Sequence, residues 1–349
     1  VPGGKRTLDP LVMHKAAPAR LSFTPAVADM LLSSAGPVVI TGATGWLGQA
    51  ILEMFDTLLG EHLQARLHTF GSTDQTIMLR SGRQVQAQAF ARLADCMLPM
   101  PIIFHCAFLT REHERRLGLD EYVSQNRAIS DAMAAFIERR GARSLFIPSS
   151  GAVYGPDRHL HNDLSRFPYA VLKLADEENF WAMGQRLGFN VALIRVFNLS
   201  GPFINKWESY ALASIIADTL RGGPVVLRAD RPVFRSYAFV QDVVNLAATI
   251  MLRCKVISAF DSSGEELIEL QMLADRVVSL LRNGVCEIIR PAVNSDTEDR
   301  YAGDPTIYSR LATDFGIMLS PLDRQIKATA MYQIEFAIKK RLAKSNAGR

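Results

Sequence analysis

A phenol and an ammonium stand four residues apart in Tyr169-Ala-Val-Leu-Lys173. On a helix that spacing puts both on one face, a turn apart. A free tyrosine, with a pKa of about 10, is a poor base at neutral pH. A lysine cation beside it favours the phenolate and is expected to lower that value. The pair is therefore suited to moving a proton to or from a carbinol or carbonyl oxygen. The bland alternative is an ordinary exposed helix face, because Tyr-x-x-x-Lys also arises by chance. Three other stretches weigh against it, at 41–48, 149–155 and 195–202.

The first of these is a glycine-rich turn. An apolar run, Val38-Val-Ile, ends in Thr41-Gly-Ala-Thr-Gly-Trp-Leu-Gly48, and helical periodicity follows over 49–59. Gly42 permits the tight turn, Gly45 a close approach of backbone to a pyrophosphate, and Gly48 close helix–strand packing. A diphosphate would then rest on the helix N-terminus. The alternative is a turn with no ligand, and the flanking strand and helix favour the nucleotide. The next strand, 65–70, ends in Gly71-Ser72-Thr73 with Asp74 beyond. An acid at that strand end would bind ribose hydroxyls and repel a 2′-phosphate. Its absence leans toward NADP; Arg80 and Arg83 follow without an evident place at the adenosine.

These turns need elements to hold them. The sequence predicts strands at 102–108 and 145–150, a helix over 119–140 carrying Asn126, a helix over 169–187 and a strand at 191–196. Residues 77–79 and 84–90 suggest a hairpin or a third strand. His105 fits a hydrogen-bonded core histidine better than a catalytic base. Alternation of strand and helix argues for a doubly wound parallel sheet, with its binding crevice at the C-terminal strand ends. The glycine turn, Ser149, Ser150 and Asn198 all fall at such ends. Beyond residue 200 the rhythm changes to short strands among helices, which reads as a smaller lobe.

Composition narrows the classes. The 349 residues are 48% hydrophobic and 21% charged, with a net charge of +4. That fits a globular protein and supplies no basic stripe for nucleic acid. Cys96, Cys106, Cys254 and Cys286 lack metal-ligand spacing, so no metal is expected. No run is long enough to span a membrane, and no secretory leader is evident, so the expectation is cytoplasmic. The basic group Lys339-Lys340-Arg341 with Lys344 reads as a solvated helix end.

With these residues in view, the chain resembles the extended branch of the short-chain dehydrogenase/reductases, the NAD-dependent epimerase/dehydratase family that includes UDP-galactose 4-epimerases. The matching stretches are 41–48, 149–155, 169–173, 195–202, 235–243 and 300–304, in the family's order. The resemblance implies a Rossmann-like α/β fold with a C-terminal α/β substrate lobe. Residues 1–36 would be an extension, 37–200 the NAD(P)-binding domain, and 201–235 with 263–349 the smaller lobe, segments near 236–262 returning to the first.

It also implies roles. Tyr169 would be the acid/base, Lys173 would lower its pKa and hold the nicotinamide ribose, and Ser150 would bond the reacting oxygen. The cofactor would lie against Gly42, Thr44, Gly45, Trp46, Leu47, Gly71, Ser72, Cys106, Ala107, Asn126, Ser149, Tyr169, Lys173, Val196 and Phe197. Asn198, Arg235 and Arg300 would reach the diphosphate of a nucleoside-diphosphate sugar, joining Ser150 and Tyr169 as substrate ligands. A homodimer through the helices at 119–140 and 169–187 is implied too.

Departures narrow the chemistry. Where the family's dehydratases carry Thr-Asp-Glu, this chain has Ser150-Gly151-Ala152, so dehydration is not expected. The segment between Ser150 and Tyr169 is short, and neither adenosine-side acid is recognisable. The expectation is hydride transfer on a nucleotide sugar by a 4-epimerase or a 4-ketoreductase. The alternatives are a reductase of a non-sugar carbonyl and a non-enzymatic NAD(P)-binding module.

Overall fold

The computed structural model describes residues 19–34, 36–253, 257–294 and 297–347, with side chains to Arg341. The first residues, Cys254 and the Lys344 side chain lie outside that description. The elements are α1 (Pro25–Ser33), β1 (Val38–Thr41), α2 (Trp46–Leu59), α3 (Leu63–Arg66), β2 (Leu67–Gly71), β3 (Gln75–Met78), β4 (Gln84–Ala89) and β5 (Ile102–His105). Next come α4 (Arg111–Leu117), α5 (Leu119–Arg140), β6 (Ser144–Ser150), α6 (Pro168–Leu187), β7 (Asn190–Val196), β8 (Asn198–Ser200), α7 (Ala211–Arg221) and β9 (Val225–Val226). The remainder are β10 (Val233–Arg235), β11 (Tyr237–Phe239), α8 (Val240–Arg253), β12 (Phe260–Asp261), β13 (Ile268–Glu269), α9 (Leu270–Arg282), β14 (Ile288–Ile289), β15 (Asp299–Tyr301), α10 (Pro305–Asp314) and α11 (Leu322–Ala347).

The main sheet has the order β12-β7-β6-β5-β1-β2-β4-β3. Every pairing in it is parallel except β3 with β4. The two alternatives for 77–90 are thus both realised: a hairpin whose second strand also joins the parallel sheet. The central strands β1, β5 and β6 are buried on both faces, as the unbroken apolar run of β1 requires, whereas β3 at the sheet edge is largely exposed. Val38 and Ile40 enter one core with Ile51 and Phe55 of α2 and Val243 and Val244 of α8. Val39 enters the other with Met133 and Phe136 of α5 and Phe180 of α6. The order reverses between β1 and β5, which opens the crevice where such sheets bind ligands. A separate core joins α7, α9 and α11, through Ile216, Val277 and Ile326.

Residues 20–33 are built into the fold. Leu21, Phe23, Val27 and Leu31 join the first core. Arg20 pairs with Glu53 and Asp56, both buried on α2. From the other side Arg80 bonds Glu53 at 3.0 Å and Glu335 of α11 at 2.9 Å, and Arg83 bonds Asp56 at 3.0 Å. Buried carboxylates need such partners. Arg80 and Arg83 therefore serve the back of α2 and do not face a nucleotide.

Asp242, in the first turn of α8, is also buried. The Ser320 amide and hydroxyl donate to its two oxygens at 2.6 and 3.1 Å. Burial pushes its pKa up to about 6, against the pull of Ser320 and Arg324, with Glu265 adding to the rise. Between the unfolded value near 4 and this raised value, the native state holds more protons than the unfolded chain. Stability therefore falls as pH rises through that window, then levels off. An amide can accept from the Ser320 N–H and donate to its hydroxyl. Asp242→Asn should thus stabilise the fold at pH 7 by about 2 kcal/mol and flatten the slope below pH 6. Urea unfolding at pH 4.5 and 7.5 checks this; an unchanged slope would refute it.

Candidate active site

Local sequence places the Tyr/Lys pair. Pro168 occupies the first turn of α6, where its missing N–H costs nothing, and the helix stops at Gly188 in the left-handed conformation. Tyr169 thus sits in the first turn, and Lys173 one turn deeper, buried against the sheet. Ser150 closes β6, and its hydroxyl accepts the Ala152 N–H at 3.2 Å, capping a 3-10 turn. Ser150 lies close enough to the phenols of Tyr169 and Tyr301 to bear on the ionisation of both.

The electrostatics differ from the sequence expectation. Burial raises the Tyr169 pKa, while Ser150 and Arg111 pull it down and Glu112 pushes it up. Lys173 is not what lowers it. Its ammonium donates to the Pro148 carbonyl at 2.9 Å and lies 3.7 Å from the centre of the Phe108 ring. Burial lowers the lysine pKa, countered by Asp176, Cys106 and Glu177. The four-residue spacing brought the two groups to one face, but the lysine turns to the sheet and an aromatic ring. Arg111 lies over the phenol ring, 5.4 Å from its centre. Phe108 meets Tyr169 edge-on at 5.6 Å.

Across the crevice lies the glycine turn. Gly42 has φ +66°, and a Cβ there would fall 2.6 Å from the Cys106 carbonyl. A Cβ on Gly48 would fall 2.2 Å from the Gly42 oxygen. These glycines let β1, β5 and α2 close on one another, with Thr44, Gly45 and Leu47 around the start of α2. No side chain caps that helix N-terminus. Trp46 donates to the Pro202 carbonyl at 2.7 Å and meets Tyr210 at 5.5 Å. Gly71 and Ser72 stand at the end of β2. Asp74 is occupied by the Ala89 amide at 2.7 Å and by Arg92 at 2.6 Å.

Other candidates serve as supports. The Asn126 side chain accepts the Leu109 N–H at 2.9 Å and donates to the Tyr122 carbonyl at 3.1 Å, fixing the loop that carries Phe108. Cys106 is pushed up to about 12 by burial, so it stays a thiol, and the Ala107 amide bonds Thr41 at 3.3 Å. His105 shares a 2.7 Å bond with Thr41, while its Nε2 has no partner and burial lowers its pKa to about 3. It is a neutral core group. The Ser149 hydroxyl bonds Glu177, which Arg195 grips at 2.6 and 2.9 Å.

Val196 closes β7, and Phe197 follows, its amide accepted by the Ser262 hydroxyl at 3.1 Å. Asn198 donates to the Ser236 and Tyr301 carbonyls at 3.1 and 2.8 Å, tying the chain between β10 and β11 to β15. Arg235 is held by Asp299 at 3.0 Å. Arg300 pairs with Glu298 at 2.9 Å and is half exposed. The side chain β15 sends toward Ser150 is Tyr301. Sequence reasoning missed Tyr301, Arg111 and Phe108.

The sequence model of the NAD dependent epimerase/dehydratase family matches residues 38–260. The chain belongs to that family. No curated protein sequence matches it. Among solved structures, the member is similar to UDP-N-acetylglucosamine 4-epimerase from Methanobrevibacter ruminantium M1 in complex with UDP-N-acetylmuramic acid. Identity is 17%, TM-score 0.67, and 86% of this chain and 98% of that chain are covered. It is likewise similar to UDP-glucose 4-epimerase from Thermus thermophilus in complex with NAD, at 18% identity and TM-score 0.63, covering 85% and 98%. RMD from Pseudomonas aeruginosa complexed with NADPH is similar at 18% identity and TM-score 0.61, covering 86% and 99%. These likenesses concern the fold. Among the described residues, no helix is long and apolar enough to cross a membrane.

Proposed function

We propose that this family member is an NAD(P)-dependent enzyme acting by hydride transfer at a hydroxyl- or carbonyl-bearing carbon of a nucleoside-diphosphate sugar, as a 4-epimerase or a 4-ketoreductase. One observation carries the reading. The phenol of Tyr169 and the hydroxyl of Ser150 converge at the end of β6, beside the crevice that the glycine turn opens. Bound NAD(P) would supply the hydride acceptor or donor. The close approach of Gly42 and Gly48 to backbone and the uncapped start of α2 fit a diphosphate there.

The residues' own work follows from their states. Tyr169, raised by burial, is protonated at neutral pH and gives its proton to a carbonyl oxygen; in the reverse direction its phenolate takes one back. Ser150 orients that oxygen. Lys173 would offer its remaining protons to ribose hydroxyls once the Phe108 ring yields its face. Arg235 and Arg300 would exchange Asp299 and Glu298 for substrate phosphate, a fork-to-oxyanion contact that arginine favours. The lack of a free acid at the end of β2 supports tolerance of a 2′-phosphate, hence NADP as well as NAD. A homodimer through α5 and α6 is part of the same reading.

The test uses the protein as purified. It is denatured, any released nucleotide is identified by mass, and fresh protein is titrated with NADPH and NADH. Retained NAD(H) supports an epimerase that returns its hydride to the same substrate. An empty site preferring NADPH supports a reductase. Binding of neither overturns the proposal.

A further inference from the structure

Arg158 stands in a tight turn beyond β6. Its amide donates to the Gly155 carbonyl at 3.0 Å, the Gly155 amide returns to His159 at 2.8 Å, and Tyr154 pairs with Leu160. Its φ is +65°, a left-handed conformation that glycine enters freely and arginine does not. Arginine persists there with its guanidinium fully engaged. The group lies 4.1 Å from the centre of the Tyr154 ring and 5.6 Å from that of Phe197. It pairs with Asp261, a buried carboxylate at the end of β12, and donates to the Ala302 carbonyl at 3.3 Å.

These contacts converge on one segment. Residues 301–304 lead from β15 to α10 and cross the C-terminal ends of β7 and β12. Gly303 lies so close to them that an added Cβ would fall 2.2 Å from the Ser262 oxygen and 3.1 Å from the Phe197 ring. The Asp304 amide donates to Asp261 at 3.0 Å, on the same oxygen that Arg158 holds, and the Tyr154 hydroxyl donates to the other at 3.1 Å. Tyr301 packs on Phe197 at 4.9 Å. Phe197 in turn covers the Gly151 turn next to Ser150, where a Cβ would meet its ring at 2.5 Å. Of the side chains that fasten this strap, Arg158 is the one nearly half exposed, so water can take its place.

We propose that Arg158 is a positioning residue: a clasp that fastens the strap 301–304 over the ends of β7 and β12, and whose release opens the crevice for nucleotide to leave. Phe197 and Tyr301 are the wall it holds. The part concerning nucleotide rests on the proposed function; the fastening of the strap does not.

Arg158→Gly suits the left-handed backbone and removes the guanidinium. Relief of strain opposes the loss of a half-exposed ion pair, so the urea midpoint should hold. Amide hydrogen exchange of the full chain without nucleotide should rise about tenfold over 301–304 and stay level in β1 and β6. Arg158→Lys keeps a cation for Asp261 but has no planar face for Tyr154, and should fall between. Release of NADH and NADPH, followed by stopped-flow chase, should quicken in the same order and by about the same factor. Level exchange at 301–304 in Arg158→Gly overturns the proposal. So does a rise shared by β1 and β6 with a lowered urea midpoint, or raised exchange at 301–304 with release at the wild-type rate. Raised exchange in a chain that binds neither nucleotide upholds the clasp and sinks the NAD(P) reading instead.

Discussion

Tyr169→Phe should lower turnover about 10³-fold, the range expected when a general acid–base is removed. Nucleotide binding should change little. The phenyl ring keeps its edge contact with Phe108 and its place beneath Arg111, so the site is not expected to collapse. The pH dependence follows from the raised phenol pKa. Reduction needs the protonated phenol, so its rate stays level throughout the range below that pKa. Oxidation needs the phenolate, so its rate climbs with pH over the same range. Steady-state rates in both directions from pH 6 to 10 check this level line and this rise. Wild-type turnover in the Phe variant would remove Tyr169 from the chemistry.

Gly48→Ala should be nearly as damaging, for a steric reason. Alanine ordinarily favours a helix interior over glycine by about 1 kcal/mol. Here the new methyl would stand 2.2 Å from the Gly42 oxygen and 2.8 Å from the Ala43 Cα. Both are backbone, so the turn or α2 must shift. A loss of about 3 kcal/mol in stability is expected, with cofactor affinity down at least about tenfold because the displaced turn no longer presents its amides. Gly223→Ala is the control, since nothing lies within 4 Å of its added methyl. Urea unfolding and NADH fluorescence titration measure both effects. Equal behaviour of the two variants would refute the packing argument.

The sheet was legible because its signals are local. Val38–Val–Ile, the glycine spacing and the long periodic helices α5 and α6 each declare themselves within a dozen residues. The site was legible where it depends on strand ends, as with Ser150, and less so where it depends on register. Beyond residue 200 the strands are too short to declare themselves: β10 and β11, of three residues each, part at Ser236 and pair in different sheets. In a three-residue strand such as β15, alternation decides which side chain faces inward, and register alone chose Tyr301 over Arg300. Phe108 reaches Lys173 only because Asn126 pins the following residue from another helix. The tyrosine's pKa was misjudged because spacing reports proximity and says nothing of burial.

The ion pairs behind α2 set a practical limit on shortening the chain. The family match starts at Val38, and a domain trimmed there would retain every glycine of the nucleotide turn. It would nonetheless take Arg20 from the two buried carboxylates of α2 and strip Leu21, Phe23, Val27 and Leu31 from its core. Homology would draw the border at the first strand; the physics of solubility draws it before Arg20.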